Sequence, residues 1–258
     1  MTKAVSPVVS PVRRYADGPA AIEWLITALG FEKHTDHRTP DGAVAHADLR
    51  FGSGVIGVSS ISTSNPGSPW ASVRQGVYIQ VDDPDAFHDR EKAAGAEIAS
   101  PLTDTDHGSR DFTIRDPGGR LFGFGTYSMG SVGGPPALWA EFCSSDVAAA
   151  KEWLERAIGF TTRLAVPHEG NRSGLMHAEL RLGESAIMIS GAPPSGNESG
   201  SELVVHLRVE DPDAHFARAR QAGAQIVREP QTASYGARFY SLRDPEGLDW
   251  WVSNYVPR

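Results

Sequence analysis

Three polar residues that could take part in acid–base chemistry alternate along the short stretch HADLRFG. His46 is followed two residues later by Asp48, and Asp48 by Arg50. A carboxylate that hydrogen-bonds an imidazole can raise the pKa of that imidazole and fix its tautomer, so His46 and Asp48 are candidates for a catalytic pair. The same alternation is the ordinary pattern of polar residues on the solvent face of a strand, and a purely structural role is the alternative.

A near-copy of this stretch, HAELRLG, occurs later in the chain and carries His177, Glu179 and Arg181. Together with His206 on a later segment, His177 and Glu179 have the residue types of a two-His-one-carboxylate metal site. Nothing in the sequence shows that these three side chains come together. The metal site is therefore one alternative among several for this part of the chain.

The composition restricts the classes of partner. The chain has 258 residues and a net charge of −8, which disfavours both nucleic acid and an anionic membrane surface. We find no signal peptide and no apolar run of roughly 18 residues that could span a membrane. The single cysteine, Cys143, cannot form an internal disulfide, so an oxidising compartment is not required. We expect a cytoplasmic protein whose partner is a small molecule, not a nucleic acid or a membrane.

Most of the sequence occurs twice. Three segments recur at offsets of 129, 131 and 128 residues, and the shifts fall in loops rich in Gly, Pro and Ser. We predict two domains, residues 1–128 and 137–258, joined by a flexible linker at 129–136. The recurring segments are Asp17–Phe31 with Asp146–Phe160, His46–Gly52 with His177–Gly183, and Val81–Ile98 with Val209–Ile226.

Each copy contains two helices among short alternating strands. Asp17 is placed to cap the first helix, and Gly30 is placed to end it. Asp83 precedes Pro84 at the start of the second helix, and Gly95 follows its end. The order of elements in one copy is β-α-β-β-β twice, which predicts an α+β fold.

This order of elements resembles the vicinal oxygen chelate superfamily, which includes glyoxalase I, extradiol dioxygenases and bleomycin-resistance proteins. The resemblance rests on the run VDDPDA before the second helix and the DPxG motif before the last strand, and it covers nearly the whole chain, twice. The HAELRLG strand resembles the PhnB-like branch of that superfamily. The resemblance implies tandem glyoxalase-like domains, each made of two βαβββ modules. Their sheet forms a cup with helices on the convex side and the ligand on the concave side.

Metal-dependent members of the superfamily supply four ligands in a cup, usually His, Glu or Gln. The aligned positions of this chain carry no suitable donor for a divalent metal, so no metal and no other cofactor is expected. The first cup has small residues there, whereas the second has bulky ones that either offer a surface for stacking or fill a dead site. The aligned positions are Ser10, Gly57, Gly76 and Gly123 in the first copy, and Trp139, Met188, Val204 and Trp251 in the second.

Strand alternation predicts which other side chains face the cups. Trp70 lies in the long loop Ser59–Gln75 and is predicted to help close the first cup. The other predicted ligand-binding residues are Arg14, His46, Asp48, Arg50, Tyr78 and Gln80 in the first cup, and His177, Glu179 and His206 in the second, where Glu141 also faces the concave side.

We therefore expect a metal-free protein that binds a small, partly aromatic organic molecule. Sequestration of an antibiotic-like compound is the most concrete version of this expectation, and it follows from the resemblance to bleomycin-resistance proteins. The alternative is a lyase, isomerase or dioxygenase of the same superfamily, either metal-independent or metal-dependent. Because the linker keeps the two copies at high effective concentration, we also expect a monomer in which the copies pair internally.

Overall fold

The computed structural model of the chain describes residues 8–61, 75–93, 95–105, 108–115, 119, 121–127, 137–157, 159–168, 174–191, 203–243, 247 and 249–256. The predicted linker 129–136 and Trp70 lie outside these residues. Within the described residues, no helix is long and apolar enough to cross a membrane.

The first domain is an eight-stranded mixed sheet in which two βαβββ modules lie side by side. The strand order is β2-β3-β4-β1-β5-β8-β7-β6, and the modules meet where β1 pairs antiparallel with β5. Helix α1 spans Gly18–Trp24 and continues as a π-helix over Leu25–Leu29, and α2 spans Pro84–Ala93. The strands are Val8–Tyr15 (β1), Glu32–Arg38 (β2), Val44–Phe51 (β3), Gly54–Ser60 (β4), Gln75–Gln80 (β5), Glu97–Asp104 (β6), Arg110–Arg115 (β7) and Leu121–Gly125 (β8).

The second domain repeats this architecture. Its strand order is β10-β11-β12-β9-β13-β16-β15-β14, which matches the first sheet strand for strand. Its helices are Val147–Ala157 (α3) and Pro212–Gln221 (α4). The strands are Leu138–Cys143 (β9), Thr161–Pro167 (β10), Leu175–Leu182 (β11), Ser185–Ser190 (β12), Leu203–Arg208 (β13), Gln225–Thr232 (β14), Arg238–Arg243 (β15) and Asp249–Ser253 (β16). The predicted tandem α+β cup fold is confirmed.

The helix boundaries follow the predicted capping residues. The side chain of Asp17 accepts a hydrogen bond from the backbone N–H of Ala20 at 3.0 Å, and Gly30 ends the helical segment with a φ of 79°. Asp211 caps α4 in the same way, by accepting bonds from two backbone N–H groups. The π-helical turn before Gly30 has no counterpart in the sequence pattern, which predicts an uninterrupted helix.

The strand register shows which residues of the two domains are equivalent. The pairing of β1 with β4 and β5 repeats in β9 with β12 and β13, and the pairing of β5 with β8 repeats in β13 with β16. The sequence offsets of 129, 131 and 128 are therefore also structural offsets. The equivalent positions used below are Val12 and Glu141, Arg14 and Cys143, Gly57 and Met188, Ser59 and Ser190, Tyr78 and His206, and Gly123 and Trp251.

Strand β3 divides its side chains between two environments as predicted. Ala47 and Leu49 are fully buried in the core that the helices cover. Asp48 points to the other face, where its carboxylate meets Tyr127 from beyond β8. The concave face of the sheet is therefore the face that carries His46 and Asp48.

The cores of the two domains are continuous. Phe122 of β8 lies 5.4 Å from Phe142 of β9, measured between ring centroids. At the equivalent place, the Arg13 guanidinium lies 4.3 Å from the ring centroid of Trp250 and donates to the backbone carbonyl of Asp249. Phe122 and Trp250 occupy equivalent positions, as do Phe142 and Arg13, so each domain packs its first and last strands against those of the other.

Candidate functional site

A cavity of about 640 Å³ opens on the concave face of the first domain. Its volume lies within the range of cavities that hold drug-sized ligands. Strands β1 to β5, β7 and β8 contribute to the wall, so the cavity occupies the middle of the cup. The lining residues are Val12, Arg14, His37, Ala45, His46, Ser59, Tyr78, Asp111, Phe112, Thr113, Gly123 and Tyr127.

The cavity includes some of the predicted residues of the first cup and not others. Arg14, His46, Tyr78 and Gly123 line it. Asp48 lies behind His46 and is only 1% exposed. The other predicted residues of this cup that the structure describes, which are Ser10, Arg50, Gly57, Gly76 and Gln80, lie outside the wall.

There is a simple geometric reason why the predicted residues Ser10, Gly57 and Gly76 lie outside the cavity wall. Gly57 and Gly76 both pair with Val12, on either side of it, so it is the Val12 side chain that lies at their level in the wall. Ser10 is buried, and it lies on the same strand two residues beyond Val12 in the direction away from Arg14. Of the four small residues expected to create space, Gly123 alone borders the cavity.

Asp48 is the centre of a hydrogen-bonded group on the wall. One carboxylate oxygen lies 2.8 Å from Nε2 of His46, and the other accepts bonds from Tyr127 at 2.7 Å and Thr35 at 2.9 Å. Burial alone would raise the pKa of Asp48, but the bond and charge of His46, with the bonds from Tyr127 and Thr35, outweigh burial and lower it. Burial and the Asp48 carboxylate raise the pKa of Tyr127 to about 12. The carboxylate is therefore ionised and the phenol protonated at neutral pH.

A second polar pair adjoins this group, because the backbone N–H of Tyr127 donates to the Tyr78 hydroxyl at 3.0 Å. The Tyr78 hydroxyl donates to Asp111 at 3.3 Å, and Ser109 donates to the same carboxylate oxygen. Burial and the charge of Asp111 raise the pKa of Tyr78 well above its usual range. Gly125 permits this approach, because a Cβ at that position would lie 2.6 Å from the Tyr78 hydroxyl and would collide with Asp111. Sequence reasoning missed Asp111, which lies on β7, a strand that the alignment with metal-dependent relatives does not use.

The two tryptophans of the second cup stack on the protein itself. Trp139 is 1% exposed, and its ring lies 5.3 Å from that of His206 with an interplanar angle of 16°. Trp251 stacks on Phe239 at 4.5 Å with an angle of 11°. A protein ring therefore covers one face of each tryptophan, a face that could otherwise have stacked on a ligand. This arrangement favours the alternative in which the bulky residues of the second cup fill a dead site.

A chain of polar side chains runs through the second cup. The Glu141 carboxylate lies 2.6 Å from Nε2 of His206, and its other oxygen accepts a bond from Ser190. Ser190 also lies 3.1 Å from Nδ1 of His177. Burial would raise the pKa of Glu141, but the bond and charge of His206 outweigh burial and lower it. Glu141 was predicted to face this cup, whereas its bonds to His206 and Ser190 could not be read from the sequence.

Glu179 lies at the end of this network and, like Asp48, accepts a hydrogen bond from a tyrosine hydroxyl. The Tyr255 hydroxyl donates to Glu179 at 2.5 Å, and Nε2 of His177 lies 3.6 Å from the same carboxylate. Both copies therefore contain a His, a carboxylate and a C-terminal Tyr in contact, which we call the tyrosine clasp: Tyr127 with Asp48, and Tyr255 with Glu179.

The sequence profile of the Glyoxalase/Bleomycin resistance protein/Dioxygenase superfamily matches residues 8–124 and again 138–252. These two spans cover both sheets. The chain belongs to this superfamily. The match does not extend to the PhnB-like branch, which remains a prediction.

The relatives within the superfamily agree with the two-domain fold. The chain is 26% identical over 257 residues to "Putative glyoxylase CFP32" of Mycobacterium tuberculosis, a match that covers 94% of this chain and 92% of the relative. The Mn(II)-bound glyoxalase from Novosphingobium aromaticivorans superimposes with a TM-score of 0.64 at 16% identity, covering 98% of this chain and 83% of that one. The 2,3-dioxygenase LapB from Pseudomonas sp. KL28 gives 0.65 at 15% identity, covering 100% and 95%. At these identities the two structures show the fold alone.

Since a structural neighbour binds manganese, we tested whether the side chains of this superfamily member fit a metal ion. Among the described residues, no group of three His, Cys, Asp or Glu side chains lies close enough to hold one. The described arrangement does not support the alternative in which His177, Glu179 and His206 form a metal triad, because His206 pairs with Glu141 and not with the other two. The described donor set does not fit a divalent metal in either cup.

Proposed function

We propose that this protein binds a small, partly aromatic organic molecule in the first cup without a metal ion. The observation that carries the proposal is the cavity of about 640 Å³, whose wall combines the rings of Tyr78 and Tyr127 with a few polar groups. Aromatic walls with a small number of oriented polar groups are typical of sites for planar organic ligands. Sequestration of an antibiotic-like compound is the most concrete form of this function.

The difference between the two cups supports the choice of the first. Where Gly123 borders the cavity, the equivalent Trp251 fills the space against Phe239. Where Val12 borders it, the equivalent Glu141 is buried in a bond with His206. The second cup therefore has more side-chain volume than the first at these equivalent positions, as expected if a ligand occupies the first cup.

The metal-free part of the proposal rests on the residue types at the four aligned positions and has its own test. At the positions aligned with the ligands of metal-dependent relatives, the first cup has Ser10, Gly57, Gly76 and Gly123, which offer no imidazole or carboxylate. Elemental analysis of protein purified without chelator should give well under one Zn, Ni, Fe or Mn for each chain. A full equivalent that disappears in the His177→Ala or His206→Ala variant would overturn this part.

Metal-independent acid–base catalysis is a second candidate, favoured by the geometry of His46 and Asp48. Asp48 is almost fully buried and holds Nε2 of His46 at 2.8 Å, while the imidazole is 37% exposed and borders the cavity. A fixed imidazole whose other nitrogen can reach a bound molecule has the arrangement of a general base in a lyase or isomerase. Mass analysis of the bound compound after incubation separates the two functions. A product that wild type forms and His46→Gln does not, with binding retained, identifies an enzyme.

The binding function is tested by filling the cavity. Planar natural products are screened by thermal shift, because a ligand that binds only the folded state raises its stability by RT ln(1 + [L]/Kd). We expect the Gly123→Trp variant to fold but to lose the shift, since β16 accepts a tryptophan at the equivalent position. The matched control is Trp251→Gly, which should leave the shift unchanged. If Gly123→Trp binds like wild type and Trp251→Gly loses binding, the second cup is the site.

A further inference from the structure

One carboxylate on the cavity wall keeps an accessible oxygen. Asp111 of β7 lines the cavity, and one of its oxygens accepts hydrogen bonds from the Tyr78 hydroxyl at 3.3 Å and from Ser109. The other oxygen is not buried, and within the described part of the chain it accepts no hydrogen bond. Because each carboxylate oxygen has two lone pairs, this oxygen can accept hydrogen bonds from a molecule in the cavity.

The cation next to Asp111 in the sequence has other partners. Side chains alternate along β7, so Arg110 faces the other side of the sheet. There its guanidinium donates to Asp85 at 2.7 Å and to Asp104 at 3.0 Å. Among the described residues, no cation lies within ion-pair distance of Asp111.

The arginine on the cavity wall lies far along the sheet from Asp111. Pairing across β7, β8, β5 and β1 places Asp111 level with Val8, and Arg14 lies six residues further along β1. Six strand residues span about 20 Å. At its own level, Arg14 donates to the Ser60 carbonyl. Arg14 therefore does not supply the counter-charge of Asp111.

The second domain fills the equivalent place with three side chains of its own. Strand pairing makes Phe239 equivalent to Asp111, and Trp251 equivalent to Gly123. Phe239 and Trp251 stack, and the Arg228 guanidinium lies 5.9 Å and 6.0 Å from their ring centroids. The second cup therefore holds a planar cation of its own beside these rings, at the outer limit of a cation–π contact.

The first cup differs from the second at all three positions. Register places Ser100 where the second domain has Arg228, so a hydroxyl stands in place of the guanidinium. Asp111 and Gly123 stand in place of the two rings. The first cup thus has less side-chain volume here, and it has a carboxylate where the second cup has a cation. A ligand that brings its own cation complements this charge.

We propose that Asp111 binds a protonated nitrogen, an amine or an amidine, on the molecule that fills the first cup. The accessible carboxylate oxygen accepts an N–H of that group in a charge-assisted hydrogen bond, while the Tyr78 hydroxyl holds the other oxygen in place. The aromatic remainder of the ligand then lies against Tyr127 and the apolar side chains of Val12 and Ala45. This inference rests on the proposed binding function and names the chemistry of its ligand.

The test uses four naphthalene probes of the same ring size and different polar groups: 2-naphthylmethylamine, 2-naphthylmethanol, 2-naphthoate and (2-naphthylmethyl)trimethylammonium. Binding to the full chain is measured by isothermal titration at pH 7 and 0.15 M salt. We expect the amine to bind at least about tenfold more tightly than the alcohol, as one charge-assisted bond gives, and naphthoate to bind least tightly. The trimethylammonium probe carries the charge without an N–H group, so it should bind at least about threefold less tightly than the amine.

Substitution of Asp111 locates the preference. Asp111→Asn keeps the shape of the side chain and an acceptor for Tyr78 but removes the charge, so it should reduce the ratio between amine and alcohol to below about threefold. The matched control is Asp104→Asn, which removes the same charge from the neighbouring strand β6, where the Asp104 side chain is 82% exposed. It should leave the ratio unchanged. Circular dichroism establishes that each variant is folded.

The outcomes separate this inference from the proposed function. If the alcohol, naphthoate or the trimethylammonium probe binds wild type as tightly as the amine, or if folded Asp111→Asn keeps the full preference, Asp111 does not bind a protonated nitrogen although the cavity binds ligands. The ranking on wild type decides this even if Asp111→Asn does not fold.

If no probe binds wild type, the ligand found in the natural-product screen takes their place. A ligand that lacks a protonated nitrogen, or that binds Asp111→Asn like wild type, overturns the inference about Asp111 and leaves the binding function intact. If that ligand also binds Gly123→Trp like wild type, both proposals are rejected.

Discussion

Removal of one hydroxyl group from the tyrosine clasp should destabilise the first domain measurably. Tyr127 lies beyond the last strand, β8, and its hydroxyl donates to Asp48 of β3 at 2.7 Å. Asp48 is 1% exposed, so water cannot replace this donor without a rearrangement of the wall. Hydrogen bonds to charged groups contribute about 1.5–3 kcal/mol. The Tyr127→Phe variant should therefore lose about that much free energy of unfolding and, at about 2–4 °C for each kcal/mol in a chain of this size, melt roughly 3–12 °C lower.

The loss should depend on pH with a defined sign. The bonds from His46, Tyr127 and Thr35 outweigh burial and lower the pKa of Asp48 in the folded protein. A carboxyl with a lowered pKa stabilises the fold above about pH 3.9, its ordinary value in the unfolded chain, and this stabilisation is lost as the pH falls through the folded value. Removal of the Tyr127 hydroxyl raises the pKa of Asp48, so the deficit of the variant is complete at pH 7 and shrinks below pH 4.

The assay is thermal and urea unfolding at pH 7 and pH 3, followed by circular dichroism. Tyr255→Phe removes the equivalent bond to Glu179 in the second domain and should cost a similar amount. Tyr235 is 64% exposed, so Tyr235→Phe is the control and should change stability by less than about 0.5 kcal/mol. A Tyr127→Phe variant as stable as this control, or a deficit that grows on acidification, would refute the assignment of an ionised Asp48 bound to the phenol.

Two further predictions concern the cavity and the assembly. Val12→Glu installs in the first cup the residue that the second has as Glu141; because it places a charged side chain on the cavity wall, it should weaken binding of a ligand found in the screen about tenfold by titration calorimetry, whereas an unchanged affinity would speak against the first cup as the site. The continuous core between the domains supports the proposal that the chain is monomeric, so light scattering should give a mass near 27.7 kDa, and a concentration-independent value of twice that would reject it.

The parts of the fold that depend on local chemistry could be predicted from the sequence. The helix that begins at Asp17 and ends at Gly30 rests on a cap and a left-handed glycine, both of which act within a few residues. The concave placement of His46 and Asp48 follows from the strict alternation of side chains along a strand. The sequence offsets between the two copies are also the offsets between equivalent positions in the structure, because strands that pair in the first copy pair again in the second.

The contacts that define the site could not be predicted in this way. Tyr127 and Asp48 are 79 residues apart, and their contact depends on how the end of β8 lies against β3. One signal was available, because the repeated motifs that begin at Arg115 and Arg243 both end in a tyrosine, at Tyr127 and Tyr255. The choice of the β1 residues that line the cavity is a tertiary property as well, because it depends on the length and direction of side chains such as Arg14.

The comparison of the two cups separates what supports the fold from what selects a ligand. The tyrosine clasp occurs in both domains, in the first cup with Asp48 and in the second cup with Glu179, so it cannot by itself account for binding in one cup. Three of the positions that differ between the cups have Arg14 in place of Cys143, Val12 in place of Glu141 and Gly123 in place of Trp251. Each change acts in the same direction, because together they remove the internal carboxylate, empty the space beside it and add a positive charge. These differences support the proposal that the first cup is the ligand site, whereas the tyrosine clasp, which both domains share, supports the fold.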